Sequence, residues 1–189
     1  MNAVNQRTQF TWVNKLIKAV GLFVVLASVL YVTNNKLTEL KETNRAWMAA
    51  YNSTEDRTKQ LGCLTRNIYW EAANEPFEGK VAVAQVTMNR LESGRFANTV
   101  CGVVQQKNIV YEKVICQFSW YCDSAIKTKP VHPALWREAE EVAKKVYFED
   151  FRLPGLKNAI YYHADYVNPR WGKPKITKIG RHIFYSEKF

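Results

Sequence analysis

Residues Cys63–Glu92, CLTRNIYWEAANEPFEGKVAVAQVTMNRLE, decide the fold, because they read as two helices joined by a tight turn. Proline disfavours α geometry in the residue before it, so a helix running from Cys63 to Ala73 has to end ahead of Asn74-Glu75-Pro76. Phe77, Val81, Ala84, Met88 and Leu91 then recur at helical spacing up to about Glu92, where Ser93-Gly94 stops the second helix. Downstream, Asn98 or Thr99 is placed to cap a short helix through Gln105. Pro133 suits the first turn of a longer helix whose buried stripe is Leu135, Ala139, Val142, Ala143 and Val146. The composition then becomes strand-like over Asn158 to His163 and Ile176 to Tyr185, with a Pro/Gly-bearing loop between. Helices first and a small antiparallel element last make an α+β domain, mostly helical.

Upstream lies a different kind of segment. Arg7, Lys15 and Lys18 precede AVGLFVVLASVLYV, Ala19 to Val32, and 17 residues without a charge separate Lys18 from Lys36. As a helix this span is about 25 Å long. The hydrocarbon core is roughly 30 Å thick, and lysines at both ends make up the difference by snorkelling. Three basic and no acidic residues ahead of the apolar run favour an N-terminus kept in the cytoplasm. No clear small-x-small cleavage site follows, so an uncleaved anchor is preferred to a cleaved signal peptide; the polar segment that comes next argues against a buried core helix. From Asn34 to about Gln60 the chain is charged, lacks Gly and Pro, and places Leu37, Leu40, Trp47, Met48 and Tyr51 near one helical face, as a stalk helix does. The expected division is an N-terminal membrane anchor at 1–35, a stalk helix or linker at 36–60 and a folded domain at 61–189.

Hydrophobic residues make up 47% of the chain and aromatics 13%, enough for a packed core and against disorder. The formal net charge of +10 divides into +4 over residues 1–60 and +6 over residues 61–189. Charge so dispersed is not a nucleic-acid-binding tail, and no nucleic-acid partner is expected. One local run, Arg170, Lys173, Lys175, Lys178 and Arg181, has no acidic residue between Tyr166 and Ser186. It fits a groove for an anionic polymer, or a solvated basic face. Cys63, Cys101, Cys116 and Cys122 have no CxxC spacing, and an even count in an exported domain favours disulfides. Three pairings exist; the short interval between Cys116 and Cys122 favours a local loop, leaving Cys63 with Cys101. A zinc site from His163, His182 and a carboxylate or cysteine has no HExxH-type spacing behind it, and His132 completes the histidines. No metal and no cofactor is therefore expected. Neither a Gly-rich phosphate loop nor a GxSxG elbow is present.

The sharpest chemical signal is Glu71 within Asn67-Ile68-Tyr69-Trp70-Glu71-Ala72. Charged groups are rarely buried without a partner, and burial raises a carboxyl pKa toward the range a general acid needs. Composition alone leaves open whether Glu71 is buried or faces solvent.

Five segments resemble the cell-wall hydrolases related to spore-cortex-lytic enzymes. In order they are NIYWEAANEPFEGKVAVAQVTMNRL, RFANTVCGVV, CQFSWYCD, AIYYHADYVNPRW and IGRHIFY, spanning roughly Cys63 to Tyr185. The resemblance implies a lysozyme-like or transglycosylase-like fold and cleavage of the glycan strand of peptidoglycan, with 61–189 as the catalytic domain. It implies that Glu71 is the catalytic acid and that Gln117, Phe118 and Ser119 line the substrate cleft. Tyr162, His163 and Trp171 match its C-terminal wall, and Gly180, His182, Phe184 and Tyr185 its closing strand. Asn74 stands where a glycine is frequent, which tests only the turn, because Asn tolerates left-handed geometry. With no separate wall-binding domain read in the sequence, targeting is expected to rest on the membrane helix and positive charge.

The expected activity is that of a lytic transglycosylase with a single glutamate, acting on peptidoglycan outside the cytoplasm, on the periplasmic or wall side. A phage endolysin and a bacterial wall-remodelling enzyme fit equally. The alternatives are a hydrolysing muramidase, which needs a second carboxylate from Glu75, Asp123 or Asp165, a zinc amidase or peptidase, and a non-catalytic glycan-binding protein. Glu75 reads most simply as a turn residue before Pro76.

Overall fold

No proline interrupts the chain before Pro76, and the computed structural model, which describes residues 3–187, forms one 70-residue helix, α1 (Ala3–Ala72). The side chains of residues 3–11 and 14 lie outside that description, Arg7 among them. The stretch expected to begin a helix at Cys63 is thus the last part of α1, because nothing in Asn34 to Gln60 breaks a helix. The chain divides into two compact units, Met1–Thr54 and Glu55–Phe189.

Helix alone makes up the described part of the first unit. Its apolar run is fully exposed, with Phe23 72% and Leu30 68% accessible. A window with mean hydropathy 2.2 makes this helix long and apolar enough to cross a membrane, by length and composition. Further along, Lys36 pairs with Glu39 and Arg45 with Glu42, and Trp47 stacks on Tyr51 at 5.5 Å. These are i,i+3 and i,i+4 contacts that support an exposed helix locally.

The second unit is mostly helical α+β. After α1 come α2 (Phe77–Glu92), α3 (Val100–Gln105), the hairpin β1 (Lys107–Val110) and β2 (Lys113–Cys116), then the single turns α4 (Ser119–Cys122) and α5 (Ser124–Lys127), α6 (Pro133–Phe148), a 3-10 turn at Pro154–Leu156, and β3 (Tyr161–Ala164), β4 (Lys175–Ile179) and β5 (His182–Tyr185). The last three strands form an antiparallel sheet in the order β3-β5-β4. Thr99 caps α3 by accepting from the Gly102 N–H at 3.0 Å, and Pro133 opens α6, whose Ala139, Val142, Ala143 and Val146 are buried. Cys63–Cys101 staples α1 to α3, and Cys116–Cys122 closes the β2–α4 segment.

Helix α2 departs from the single apolar stripe expected of it. Every residue from Gly79 to Arg90 is buried, so its whole circumference is enclosed, while Phe77 is 42% exposed. A helix enclosed on all sides has to satisfy its polar side chains internally. Gln85 donates to the Leu153 carbonyl at 3.1 Å and accepts from the Leu153 N–H at 2.7 Å. Asn89 donates to the Leu156 and Ala159 carbonyls, both at 2.8 Å, and Arg90 Nε to the Ile160 carbonyl at 2.9 Å. This row of polar residues fastens the chain from Leu153 to Ile160 along α2. The strand expected from Asn158 therefore begins only at Tyr161: the carbonyls of Leu156, Ala159 and Ile160 are taken by α2 side chains, and of the residues just before the strand only Ile160 reaches β5, its N–H donating to the Tyr185 carbonyl at 3.1 Å. The run Ile176 to Tyr185 is two strands, split at Gly180-Arg181, where Gly180 takes φ +57°. The β1–β2 hairpin was not expected: Tyr111 and Glu112 turn it with φ of 48° and 63°, so it lacks the Asn/Gly signature of such turns.

Candidate active site

Helix α1 delivers Glu71 in its last turn, and Asn67, one turn earlier, fixes how that turn sits. The buried Asn67 amide donates to Thr87 Oγ1 on α2 at 3.1 Å and accepts from Trp120 Nε1 on α4 at 2.9 Å. Leu64 and Ile68 on the same stretch are wholly buried, each contributing roughly 1.5–3 kcal/mol from apolar burial. Glu71 is thereby held, half-buried, on the floor of a cavity of about 530 Å³.

Gln117, Phe118, Ser119, Tyr162, His163, Trp171 and His182 all line this cavity with Glu71, whereas Gly180, Phe184 and Tyr185 of the closing strand do not. Their roles in the geometry differ. Tyr162 Oη donates to Glu71 Oε2 at 2.9 Å. His163 Nδ1 lies 2.8 Å from the Ala164 carbonyl, which only accepts, so Nδ1 carries the proton and Nε2 accepts from Tyr185 Oη at 2.9 Å. With both nitrogens engaged, His163 offers the cavity its ring, against which Trp171 stands edge-on at 5.5 Å. Phe118 is a buried wall residue at 2% exposure, and Phe184 belongs to the core. His182 is buried, and its Nδ1 has no hydrogen-bond partner among the described residues.

Arg90 was not singled out from the sequence. Its guanidinium lies over the rings of Phe96 at 5.3 Å and Phe118 at 4.9 Å, and its Nη1 has no partner among the described residues. An arginine in an Ala/Val-rich helix resembles an exposed residue in sequence; only enclosure of α2 on all sides shows otherwise. Arg90 lines the cavity with Glu71. Burial pushes the Glu71 carboxyl up from its ordinary value, against the opposing pull of the Tyr162 hydrogen bond and the Arg90 charge. Burial and the neighbouring Glu71 push the Tyr162 phenol well above its usual range, so it remains a donor. His182 is pushed down, chiefly by burial.

The other carboxylates are committed elsewhere. Glu75 lines the cavity but is no solvated turn residue: it is 6% exposed, and its Oε2 accepts from the Arg181 N–H at 2.9 Å while Oε1 faces Arg181 Nε at 3.4 Å. It ties the turn after α1 to the β4–β5 turn. Asp123 caps α5 by accepting from Ala125 and Ile126, and Asp165 pairs with Lys178 at 2.8 Å. The basic run is likewise partly neutralised, with Lys173 on Glu187 at 3.1 Å and Arg181 on Glu75. No three His, Cys, Asp or Glu side chains among the described residues are grouped to hold a metal ion.

The chain is similar to proteins of known name. It is 36% identical over 123 residues to the spore cortex-lytic enzyme of Bacillus subtilis (strain 168), covering 64% of this chain and 35% of that protein. To the spore cortex-lytic enzyme of Bacillus cereus it is 34% identical over 125 residues, covering 64% of this chain and 42% of the relative. The chain thus spans about two fifths or less of the length of these curated relatives. Among solved structures, the catalytic domain of the germination-specific lytic transglycosylase SleB from Bacillus anthracis superposes with a TM-score of 0.52 at 28% identity, over 67% of this chain and 93% of that one. The catalytic domain of the Bacillus cereus SleB protein gives 0.50 at 26% identity, over 68% and 91%. Residues 74–185, more than half of the sequence, match the cell wall hydrolase family, and the chain belongs to that family.

Proposed function

We propose that residues 61–189 cleave the glycan strand of peptidoglycan as a lytic transglycosylase, with Glu71 as its single catalytic carboxyl. The observation that carries this reading is the Glu71 carboxyl itself: half-buried on the cavity floor, pushed up by burial, and oriented by Tyr162. A protonated carboxyl there donates its proton to the leaving glycosidic oxygen. It then takes the proton from the sugar's own 6-hydroxyl as that oxygen closes on C1, giving a 1,6-anhydro product. The internal nucleophile is already in place, so no activated water is needed. Gln117, Ser119 and His182 offer polar partners for sugar hydroxyls, and Tyr162, His163 and Trp171 offer ring faces. The family match begins at Asn74, so the role of Glu71 rests on this geometry and on the resemblance of the segment around it.

A hydrolysing muramidase is the second reading, favoured only by Glu75 lining the same cavity. The hydrogen bonds that tie Glu75 to Arg181 weigh against a free base there. In the full reading, residues 1–35 anchor the protein in the cytoplasmic membrane, 36–60 form the stalk, and the domain acts outside the cytoplasm. The test is mass spectrometry of products from purified walls treated with wild type and Glu71→Gln. Anhydro-muropeptides from the wild type, lost by about 10²–10⁴-fold in the variant, are expected. Reducing ends in place of anhydro sugars would select the muramidase, and an active Glu71→Gln would reject the assignment.

A further inference from the structure

Trp70 and Trp120 line two cavities, and the second lies outside the site described above. It measures about 440 Å³, and its other walls are Trp136, Tyr121, Val131, Arg66, Lys127 and Lys129. Its chemistry differs from that of the catalytic cavity. There, Arg90 stands near Glu71 and Arg181 near Glu75; here no acidic side chain lines the walls. None of the ion pairs among the described residues uses Arg66, Lys127 or Lys129. Lys127 Nζ instead lies over the Tyr121 ring at 4.5 Å, and Trp136 leans on Tyr69 at 5.5 Å. Three uncompensated cations around a floor of indole rings make a receptor for a ligand that is anionic at its edges and apolar between them.

We propose that this cavity binds the acidic peptide stem carried by the glycan strand in the neighbouring cleft. The proposal rests on the glycan-cleaving reading. Because Trp70 and Trp120 form a shared partition, a sugar held on the Glu71 side is one indole away from the second cavity. A lateral substituent on that sugar crosses the partition and meets Arg66, Lys127 and Lys129 with its carboxylates. Its alkyl parts lie against Trp70 and Trp136. A bare glycan offers nothing to these three cations, so the cavity makes the enzyme select substituted strands.

Two measurements on the full chain test this. The soluble stem tetrapeptide should shift the indole N–H resonances of Trp70 and Trp136. Lys127→Gln with Lys129→Gln, or amidation of the peptide carboxylates, should weaken that binding about tenfold; added salt should weaken it too. Separately, kcat/KM is compared on stem-bearing glycan and on glycan stripped of its stems by an amidase. Wild type should prefer the stem-bearing strand, and the double variant should lose most of that preference. Absence of indole shifts, or a preference unchanged in the variant, overturns the subsite. If wild type cuts neither strand yet binds the peptide at Trp136, the glycan-cleaving reading fails and the subsite stands.

Discussion

Tyr162→Phe separates one hydrogen bond from everything else that Tyr162 does. The ring is kept, with its contacts to His182 at 5.1 Å and Phe184 at 5.6 Å; only the hydroxyl that donates to Glu71 at 2.9 Å is deleted. That bond favours the carboxylate over the acid, so it holds Glu71 down while burial pushes it up. A hydrogen bond to a charged group contributes about 1.5–3 kcal/mol, and one pKa unit corresponds to about 1.4 kcal/mol. Losing it raises Glu71 further, by less than the whole bond because the protonated acid also accepts part of it. In the proposed mechanism the reacting form is the protonated one, so activity should be present below the Glu71 pKa and lost above it. In the variant, the alkaline limb of kcat/KM on purified walls should move up by about one pH unit. Stability moves with it. Glu71 has a folded pKa above its unfolded value, so its contribution is fully present below the unfolded pKa and is lost as pH rises through the folded one. The variant carries this loss to higher pH, and its melting temperature should fall furthest below wild type in alkaline buffer. A limb that stays put, or moves down, refutes the claim that Glu71 is the titrating acid held by Tyr162.

Glu71→Gln removes the group whose ionisation destabilises the fold, so above neutral pH it should melt at or above the wild type, the gap closing toward acid; thermal melts across pH read this. The Cys63–Cys101 bridge closes 38 residues and Cys116–Cys122 closes 6. Replacing the first pair by alanine should cost about 4 kcal/mol and the second about 2, on the loop-entropy account, as read by urea denaturation. Gly180→Ala puts a Cβ at φ +57° directly against Glu75 Oε2, so the β4–β5 turn cannot keep its place. A loss of about 1–3 kcal/mol is expected from the backbone strain, again by denaturation.

Much of the fold is legible in the sequence wherever a local rule suffices. Pro76 ends one helix and opens the next, Ser93-Gly94 closes it, Thr99 caps α3 and Pro133 starts α6. These signals act within a few residues and tertiary packing does not override them. The β1–β2 hairpin escaped because Tyr111 and Glu112 turn it without glycine or asparagine. The burial of Arg90 escaped for another reason: its hydrogen-bond acceptor, the Ile160 carbonyl, lies 70 positions away, and no pattern inside α2 announces it. Glu75 is a similar case, since its partner Arg181 is 106 positions on. That Gln117, Tyr162, His163, Trp171 and His182 share one cavity with Glu71 was legible only through the resemblance, which carries long-range information that composition and periodicity lack.

The groups that set the surroundings of the Glu71 carboxyl are therefore spread along α2. Tyr162 on β3 donates to the Glu71 carboxyl, and β3 follows directly on the segment from Leu153 to Ile160. That segment is fastened by Gln85, Asn89 and Arg90, three polar residues on one enclosed helix. The same Arg90 lowers Glu71 by its charge, so one side chain both seats the strand that desolvates the acid and limits how far desolvation raises it. Asn67 closes the arrangement from below, linking α1 to α2 and to α4 one turn before Glu71. The proton on Glu71 is thus coupled to hydrogen bonds it does not make. An interior polar network of this kind is costly when partly satisfied and rigid when complete. Here Arg90 Nη1 and His182 Nδ1, two buried polar atoms with no partner among the described residues, belong to residues that line the cavity, so the network around Glu71 is left incomplete on the cavity side.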